Sequence, residues 1–133
     1  MPTYESSGFS PPAPVARVVL QHPTRGAEEA DVPMLLDTGA DVTLVPRAVV
    51  ERLGLEPAGG AGYELAGFDG HTRVATAVEA RMILCGRGFR GRFLVSEEGY
   101  GIVGRNILNA LPLVFDGPRR EWAELDASAR THS

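Results

Sequence analysis

Apolar residues occur along the chain in short runs that glycine, proline and polar residues interrupt. Residues 15–20 (V-A-R-V-V-L) and 32–36 (V-P-M-L-L) are two such runs. Their length is typical of strands, and residues 15–20 are also enriched in β-branched side chains. Because runs of this kind recur at close spacing and only two segments have helical spacing, the pattern predicts a mainly β fold.

The remaining elements follow from the same pattern. Strands are predicted at residues 15–20, 32–36, 42–45, 63–68, 71–80, 81–85, 89–95, 100–103 and 113–115, with Trp122 and Leu125 as an extension of the last. Residues 21–31 are predicted to be a loop. A helix is predicted over residues 46–53, with Pro46 at its first position and Gly54 at its C-cap. A second helix covers residues 104–111 and ends at Pro112.

Two hairpins are expected in the middle of the chain. Asp69-Gly70 lies between the strands at 63–68 and 71–80, and this dipeptide is a strong hairpin signal. Residues 86–88 connect the strands at 81–85 and 89–95. The hairpins strengthen the prediction of a fold built from antiparallel strands.

The length of 133 residues fits one domain. Residues 1–14 carry four prolines and are predicted to be an extended arm, since proline cannot donate to a ladder. Residues 15–125 are predicted to form the domain, and residues 126–133 a frayed tail.

Composition excludes several classes of protein. Hydrophobic residues make up 44% and charged residues 23%, which excludes a disordered polyelectrolyte. The net charge of −4 argues against a general nucleic-acid partner. No apolar run approaches the ~20 residues that cross a bilayer, and no secretory signal is apparent, so no membrane partner is expected. The lone Cys85 excludes an internal disulfide and favours a cytoplasmic location.

The chemistry of the chain is concentrated at Asp37-Thr38-Gly39. A carboxylate that directly follows an apolar strand is delivered at the edge of a core. Gly39 offers close backbone approach and freedom in φ, and the Thr38 hydroxyl can bond locally or reach a partner. The alternative is a simple turn in which Asp37 caps backbone amides.

Two longer segments carry a resemblance to a known family. Residues 35–45, L-L-D-T-G-A-D-V-T-L-V, resemble the active-site segment of the retroviral aspartic proteases, the retropepsins. Residues 102–108, I-V-G-R-N-I-L, resemble the second signature of that family. The two segments follow the family's order, with 67 positions from Asp37 to Gly104. The resemblance implies a single-lobe acid-protease β-barrel with one or two short helices.

The resemblance also implies a mechanism. Aspartic proteases use two carboxylates, but this chain has one D-T-G and no room for a second lobe. The expected active unit is therefore a C2 homodimer in which the two Asp37 side chains meet on the axis. Carboxyls about 3 Å apart share one proton. The ionised member activates water and the protonated member donates to the scissile carbonyl. This predicts an aspartic endopeptidase that acts on peptide or protein substrates without a metal or other cofactor.

The resemblance implies roles for five further residues of this chain. Thr38, Gly39 and Ala40 match residues that support the active site. Asp41 and Arg105 match a structural ion pair, which is expected to be buried and bidentate. Loss of one partner of such a pair would cost about 3–5 kcal/mol.

The flap of the family is expected at the Asp69-Gly70 hairpin, where Gly67 and Gly70 offer hinges and Phe68 an apolar tip. Retroviral flaps are richer in glycine and isoleucine, so the substrate preference does not transfer.

Two other functions compete with proteolysis. A domain of this fold can serve as a dimerisation or peptide-binding module that cleaves weakly or not at all, but the intact D-T-G favours the enzyme. Arg87, Arg90 and Arg92 resemble an RNA-binding glycine–arginine segment, yet their spacing is better explained by the solvent face of a strand.

Overall fold

A closed barrel of six strands forms the centre of the structure, a computed structural model that describes residues 2–58, 63–66 and 72–125. The strands in this part of the chain are β1 Val15–Gln21, β2 Glu28–Leu36, β3 Leu44–Pro46, β4 Tyr63–Ala66, β5 Thr72–Ala75, β6 Ala77–Leu84, β7 Arg87–Ser96, β8 Gly101–Val103, β9 Leu113–Asp116 and β10 Glu121–Glu124. The helices are α1 Arg47–Leu53 and α2 Arg105–Leu108.

The order of strands in the barrel is β1-β2-β8-β3-β7-β6. β8 lies between β2, with which it is parallel, and β3, with which it is antiparallel. Leu36 is opposite Val103, and Leu44 is opposite Ile102. The loop that connects β2 to β3 is therefore held against the end of β8.

Alternation of buried and exposed positions creates the core. In β1, Ala16, Val18 and Leu20 face inward while Arg17, between Ala16 and Val18, is exposed, as a half-buried strand requires. Met34 and Met82 are also fully buried in the barrel. Three residues of α1 pack against the core: Val49, Val50 and Leu53. The prediction of a mainly β barrel with two short helices is confirmed.

The N-terminal residues lie along the hairpin of β9 and β10. Thr3 forms a bridge with Glu121, the amide of Tyr4 donates to the carbonyl of Arg120 at 2.7 Å, and the amide of Trp122 donates to Pro2 at 3.0 Å. Residues 2–4 therefore occupy the outer edge of β10.

The boundaries of two elements differ from the predictions. The predicted loop at 21–31 is wrong in its second half, because β2 begins at Glu28 and pairs there with Gln21 of β1. Backbone pairing with β1 overrides the charged, exposed character of residues 28–31. Pro46 is the N-cap of α1, with ψ of 136°, and not its first helical residue. Gly54 is the left-handed C-cap, as predicted.

The hairpins also differ in detail. The predicted strand at 71–80 is two strands, β5 and β6, which are separated at Thr76. The turn between β6 and β7 consists of Cys85 and Gly86, with φ values of 53° and 71°. Two residues with positive φ match the twist of the flanking strands, so this turn is tighter than the one predicted at 86–88. The second helix is shorter than predicted and ends at Leu108.

β4 and β5 pair antiparallel, with Ala66 opposite Thr72. The predicted flap residues Gly67, Phe68, Asp69 and Gly70 lie outside the described residues, as does the predicted tail at 126–133. No helix in the described part of the chain is both long and apolar enough to span a membrane.

Candidate active site

The end of β2 delivers Asp37 to the surface. Leu36, the last residue of β2, is buried, Asp37 is half-buried, and Thr38 and Gly39 are exposed. The Asp37 amide donates to the carbonyl of Val103 at 3.1 Å, which continues the pairing of β2 with β8. The carboxylate is therefore fixed at the edge of the core, as the sequence predicts.

Local hydrogen bonds orient the Asp37 side chain. The Gly39 amide donates to Asp37 Oδ1 at 2.8 Å, and the Ala40 amide donates to the Asp37 carbonyl at 3.2 Å. A Cβ on Gly39 would lie 3.1 Å from the same Oδ1, so glycine permits a close approach to the carboxylate. The expected freedom in φ is not used, because Gly39 is not among the residues with positive φ. Asp37 thus caps a turn, and its half-buried side chain remains accessible at the surface.

The segment after β8 packs directly on the loop that carries Asp37. A Cβ on Gly104 would lie 2.2 Å from the carbonyl oxygen of Val42, so only glycine fits here. The amide of Arg105 donates to the carbonyl of Ala40 at 2.8 Å. The structure therefore brings together the two segments that were singled out in the sequence.

Thr43 joins these segments through its hydroxyl, which is buried in the core. Thr43 Oγ1 donates to Asn106 Oδ1 at 2.7 Å and accepts from the Gly104 amide at 3.1 Å. Its carbonyl accepts from the Leu94 amide at 3.1 Å. Sequence reasoning assigned Thr43 no role, although a hydroxyl within the apolar run V-T-L-V signals a buried hydrogen bond.

The predicted buried ion pair of Asp41 and Arg105 is wrong for the described chain. Both residues are exposed, and the two side chains are not within salt-bridge distance of each other. Arg105 Nη1 instead donates to the carbonyl of Thr38 at 2.7 Å. Because Arg105 begins α2 directly beneath the loop, its guanidinium reaches the backbone and braces the loop there.

The cysteine does not offer an alternative nucleophile. Cys85 is half-buried in the turn between β6 and β7 and packs against the core. Burial raises the pKa of its thiol, so the reactive thiolate is disfavoured at neutral pH. In the part of the chain that the structure describes, no three His, Cys, Asp or Glu side chains are grouped as metal ligands. The chemistry available at the site is that of a carboxylate.

Comparisons with known proteins agree with this geometry. A family model described as aspartyl protease matches residues 25–106, which is more than half of the chain. Among solved structures, EIAV protease in complex with the inhibitor HBY-793 matches with a TM-score of 0.59 and 26% identity. That match covers 74% of this chain and 86% of the viral chain. The search of curated proteins found no significant match.

We expect Thr43→Val to destabilise the fold by about 1–3 kcal/mol although it conserves side-chain volume, because the buried Gly104 amide loses its acceptor. Urea unfolding monitored by circular dichroism measures the difference. Thr24→Val is the matched control, since Thr24 is exposed, and we expect a change within about 0.5 kcal/mol. A Thr43→Val protein as stable as wild type would contradict a structural role for the hydroxyl.

Arg105→Ala should cost about 1–2 kcal/mol, which is the scale of a charge-assisted bond at an exposed site. Asp41→Asn should change the stability by less than about 0.5 kcal/mol. A double-mutant cycle by urea unfolding should therefore give a coupling energy near zero. A coupling energy of about 3 kcal/mol or more would show that Asp41 and Arg105 form the buried ion pair after all.

Proposed function

The chain belongs to the aspartyl protease family, and from this premise we propose that it is an endopeptidase that hydrolyses peptide bonds as a C2 homodimer. Asp37 of each subunit supplies one of the two catalytic carboxylates. The observation that carries the proposal is the placement of a single D-T-G carboxylate per chain on an exposed loop, which the family's second signature segment braces from below.

The count of carboxylates supports a shared site. Peptide hydrolysis by this chemistry needs two carboxyl groups with one proton between them. Asp37 is the one aspartate in the chain that stands in a D-T-G or D-S-G motif. The exposed surface of Thr38 and Gly39 beside it is accessible to a second copy. A two-fold axis through this loop would bring the second Asp37 to the first.

The proposed mechanism follows from the pair. The ionised Asp37 removes a proton from a bridging water as the water attacks the carbonyl carbon. The protonated Asp37 of the second subunit donates to the carbonyl oxygen as that oxygen gains charge. Thr38, Gly39 and Ala40 support the site: Gly39 holds one carboxylate oxygen with its amide, and Thr38 accepts from Arg105 through its carbonyl. Such positioning fixes the carboxylate before the substrate binds.

The surface proposed for the dimer includes β9. Val114 and Phe115 are the exposed large hydrophobic residues of the described chain, at 46% and 40% exposure. β9 pairs with β10 on one side, and within the described residues its other edge has no strand partner. An apolar strand edge of this kind is suited to pairing with the same strand of a second copy.

The substrate of the proposed reaction is a peptide or protein segment. The related viral enzyme is described in complex with an inhibitor, and we infer a peptide-binding cleft in this chain from its family alone. The location in the cytoplasm stays a prediction that depends on the single Cys85.

The test of the proposed activity is a digest of a mixed peptide library between about pH 3 and 7, a range that spans the titration of a carboxylate pair. Wild type should cleave, and Asp37→Asn should not. Subunit mixing then tests the shared site: equal amounts of both proteins, after exchange, should retain about one quarter of the wild-type activity. Independent active sites would retain about one half.

The control for mixing is Asp31→Asn, the same chemical change at an exposed position. Its φ of 56° is one that asparagine tolerates, and we expect the mixture to keep full activity. A wild-type dimer that cleaves nothing at any pH would favour the peptide-binding module. Cleavage by a strictly monomeric protein would contradict the shared site.

Phe115→Asp should dissociate the dimer and abolish cleavage while the barrel stays folded, because a charge at the edge of β9 opposes pairing. Sedimentation at micromolar concentration should show a dimer for wild type and a monomer for the variant. Circular dichroism reports whether the variant is folded. A folded Phe115→Asp dimer with full activity would show that β9 is not part of the dimer interface.

A further inference from the structure

Four polar side chains form a row across the outer face of the barrel, at the end of β2 remote from Asp37. Glu28 of β2, Gln21 of β1, Arg81 of β6 and Arg90 of β7 are directly opposite one another in register. Residues directly opposite in antiparallel strands project on the same face of the sheet. Arg81 and Arg90, which end the row, are both exposed.

Hydrogen bonds connect the row from the carboxylate at one end to the arginines at the other. Gln21 Nε2 donates to Glu28 Oε1 at 3.2 Å, and Arg81 Nη1 donates to Gln21 Oε1 at 3.4 Å. The only carboxylate of the row is thus engaged by Gln21. The other end of the row consists of two guanidinium groups: Arg81 donates to Gln21, and Arg90 has no acceptor among the described residues.

Arg81 and Arg90 are two of the described arginines that form no ion pair, and they are the two of that group that lie opposite each other in paired strands. Among the described residues, six other arginines form an ion pair with an acidic residue: Arg17, Arg25, Arg47, Arg52, Arg87 and Arg119. Arg81 and Arg90 lie opposite each other instead, and no carboxylate of the described residues is within salt-bridge distance of either. Like charges directly opposite in a sheet are destabilising. An anion between them would offset that repulsion.

A cavity of about 420 Å³ adjoins this pair. Its volume falls in the range of small-molecule sites, about 300–1,000 Å³. His22 also lines it, and His22 Nδ1 accepts the amides of Thr24 and Arg25, both at 3.1 Å. The other ring nitrogen therefore carries the proton in the neutral ring and can only donate. The one carboxylate in the lining is Glu28, which Gln21 engages.

Gly88 gives the Arg81 guanidinium its position. A Cβ on Gly88 would lie 2.5 Å from Arg81 Nη2 and 2.7 Å from Nε. The guanidinium therefore lies directly over the Gly88 backbone, where any side chain would displace it. This contact ties the direction of Arg81 to a single residue of the neighbouring strand.

We propose that Arg81 and Arg90 bind a phosphate group, either as the free ion or as a small phosphate monoester whose organic part occupies the rest of the cavity. The guanidinium fork matches phosphate oxygens in pairs, and two forks match the charge of a dianion. β2 has nine residues at about 3.3 Å each, so Glu28 and Asp37 are separated by about 30 Å along the strand. The site is thus separate from the proposed active site and does not depend on proteolysis.

Isothermal titration calorimetry of the full chain with inorganic phosphate at constant ionic strength tests the proposal. Wild type should show saturable binding, and Arg90→Gln should weaken it at least about ten-fold, because one of the two forks is removed. Arg92→Gln is the matched control: it removes the same charge on the same strand face, but its position is opposite Glu79. We expect it to change the affinity less than about two-fold.

A second variant keeps the charge and changes only the geometry. Gly88→Ala substitutes neither arginine, but its methyl group displaces the Arg81 guanidinium, so this variant should also weaken phosphate binding. Thermal unfolding checks that each variant is folded, and phosphate should raise the melting temperature of wild type by about 2 °C or more without affecting Arg90→Gln. Equal weakening by Arg90→Gln and Arg92→Gln, or an unchanged affinity in Gly88→Ala, would overturn the site in favour of general charge attraction.

The source of the phosphate group is resolved by a second titration with phenyl phosphate. Binding about ten-fold tighter than that of inorganic phosphate supports a monoester, and equal binding supports the free ion. A shift in melting temperature of the same size with chloride would overturn the proposal, since chloride only screens charge. Asp37→Asn should bind phosphate as wild type does, so failure of the proposed proteolysis and failure of this site are distinguishable.

Discussion

The close contact between Gly104 and the backbone of Val42 is the constraint on which the site depends. It lets the segment after β8 lie against the loop from β2, with no side chain between the two backbones. The buried hydroxyl of Thr43 then bonds both the Gly104 amide and Asn106. Because hydrogen bonds are strong in the protein interior and a buried group without a partner is costly, these bonds hold the two segments in one arrangement. Asp37 is consequently held by the core and not by a free loop.

This construction is consistent with the proposal that each chain supplies one of the two catalytic carboxylates. The barrel core fixes one loop that carries a D-T-G motif, and the 133-residue sequence has one such motif. Asp37 is half-buried beside exposed Thr38 and Gly39, which leaves this surface accessible to the second subunit of the proposed dimer. The proposed activity and the proposed dimer are thus one proposal with two measurable consequences. The arginine pair at the other end of β2 is independent of both.

Arg105 illustrates how far a family pattern transfers. Its position after Gly104 was readable from the sequence, and its guanidinium does support the Asp37 loop. Its acceptor was not readable, because that depends on whether the Asp41 carboxylate or the Thr38 carbonyl comes within reach once α2 is packed. Thr43 was missed for a related reason: its hydroxyl acquires partners only from residues 61 and 63 positions away in the chain.

The sequence by itself determined the mainly β fold and the position of Asp37 after an apolar strand, whereas the union of two distant segments was implied by the family resemblance and not by a local pattern. The alternation of apolar and polar residues, the β-branched runs and the short glycine-bearing motifs act locally, so they can be recognised from the sequence alone. Only the tertiary structure decided the partners of Arg105 and Thr43, the start of β2 at Glu28 and the opposition of Arg81 to Arg90. Each of these depends on strand register and on the approach of residues far apart in the chain, which no local pattern encodes.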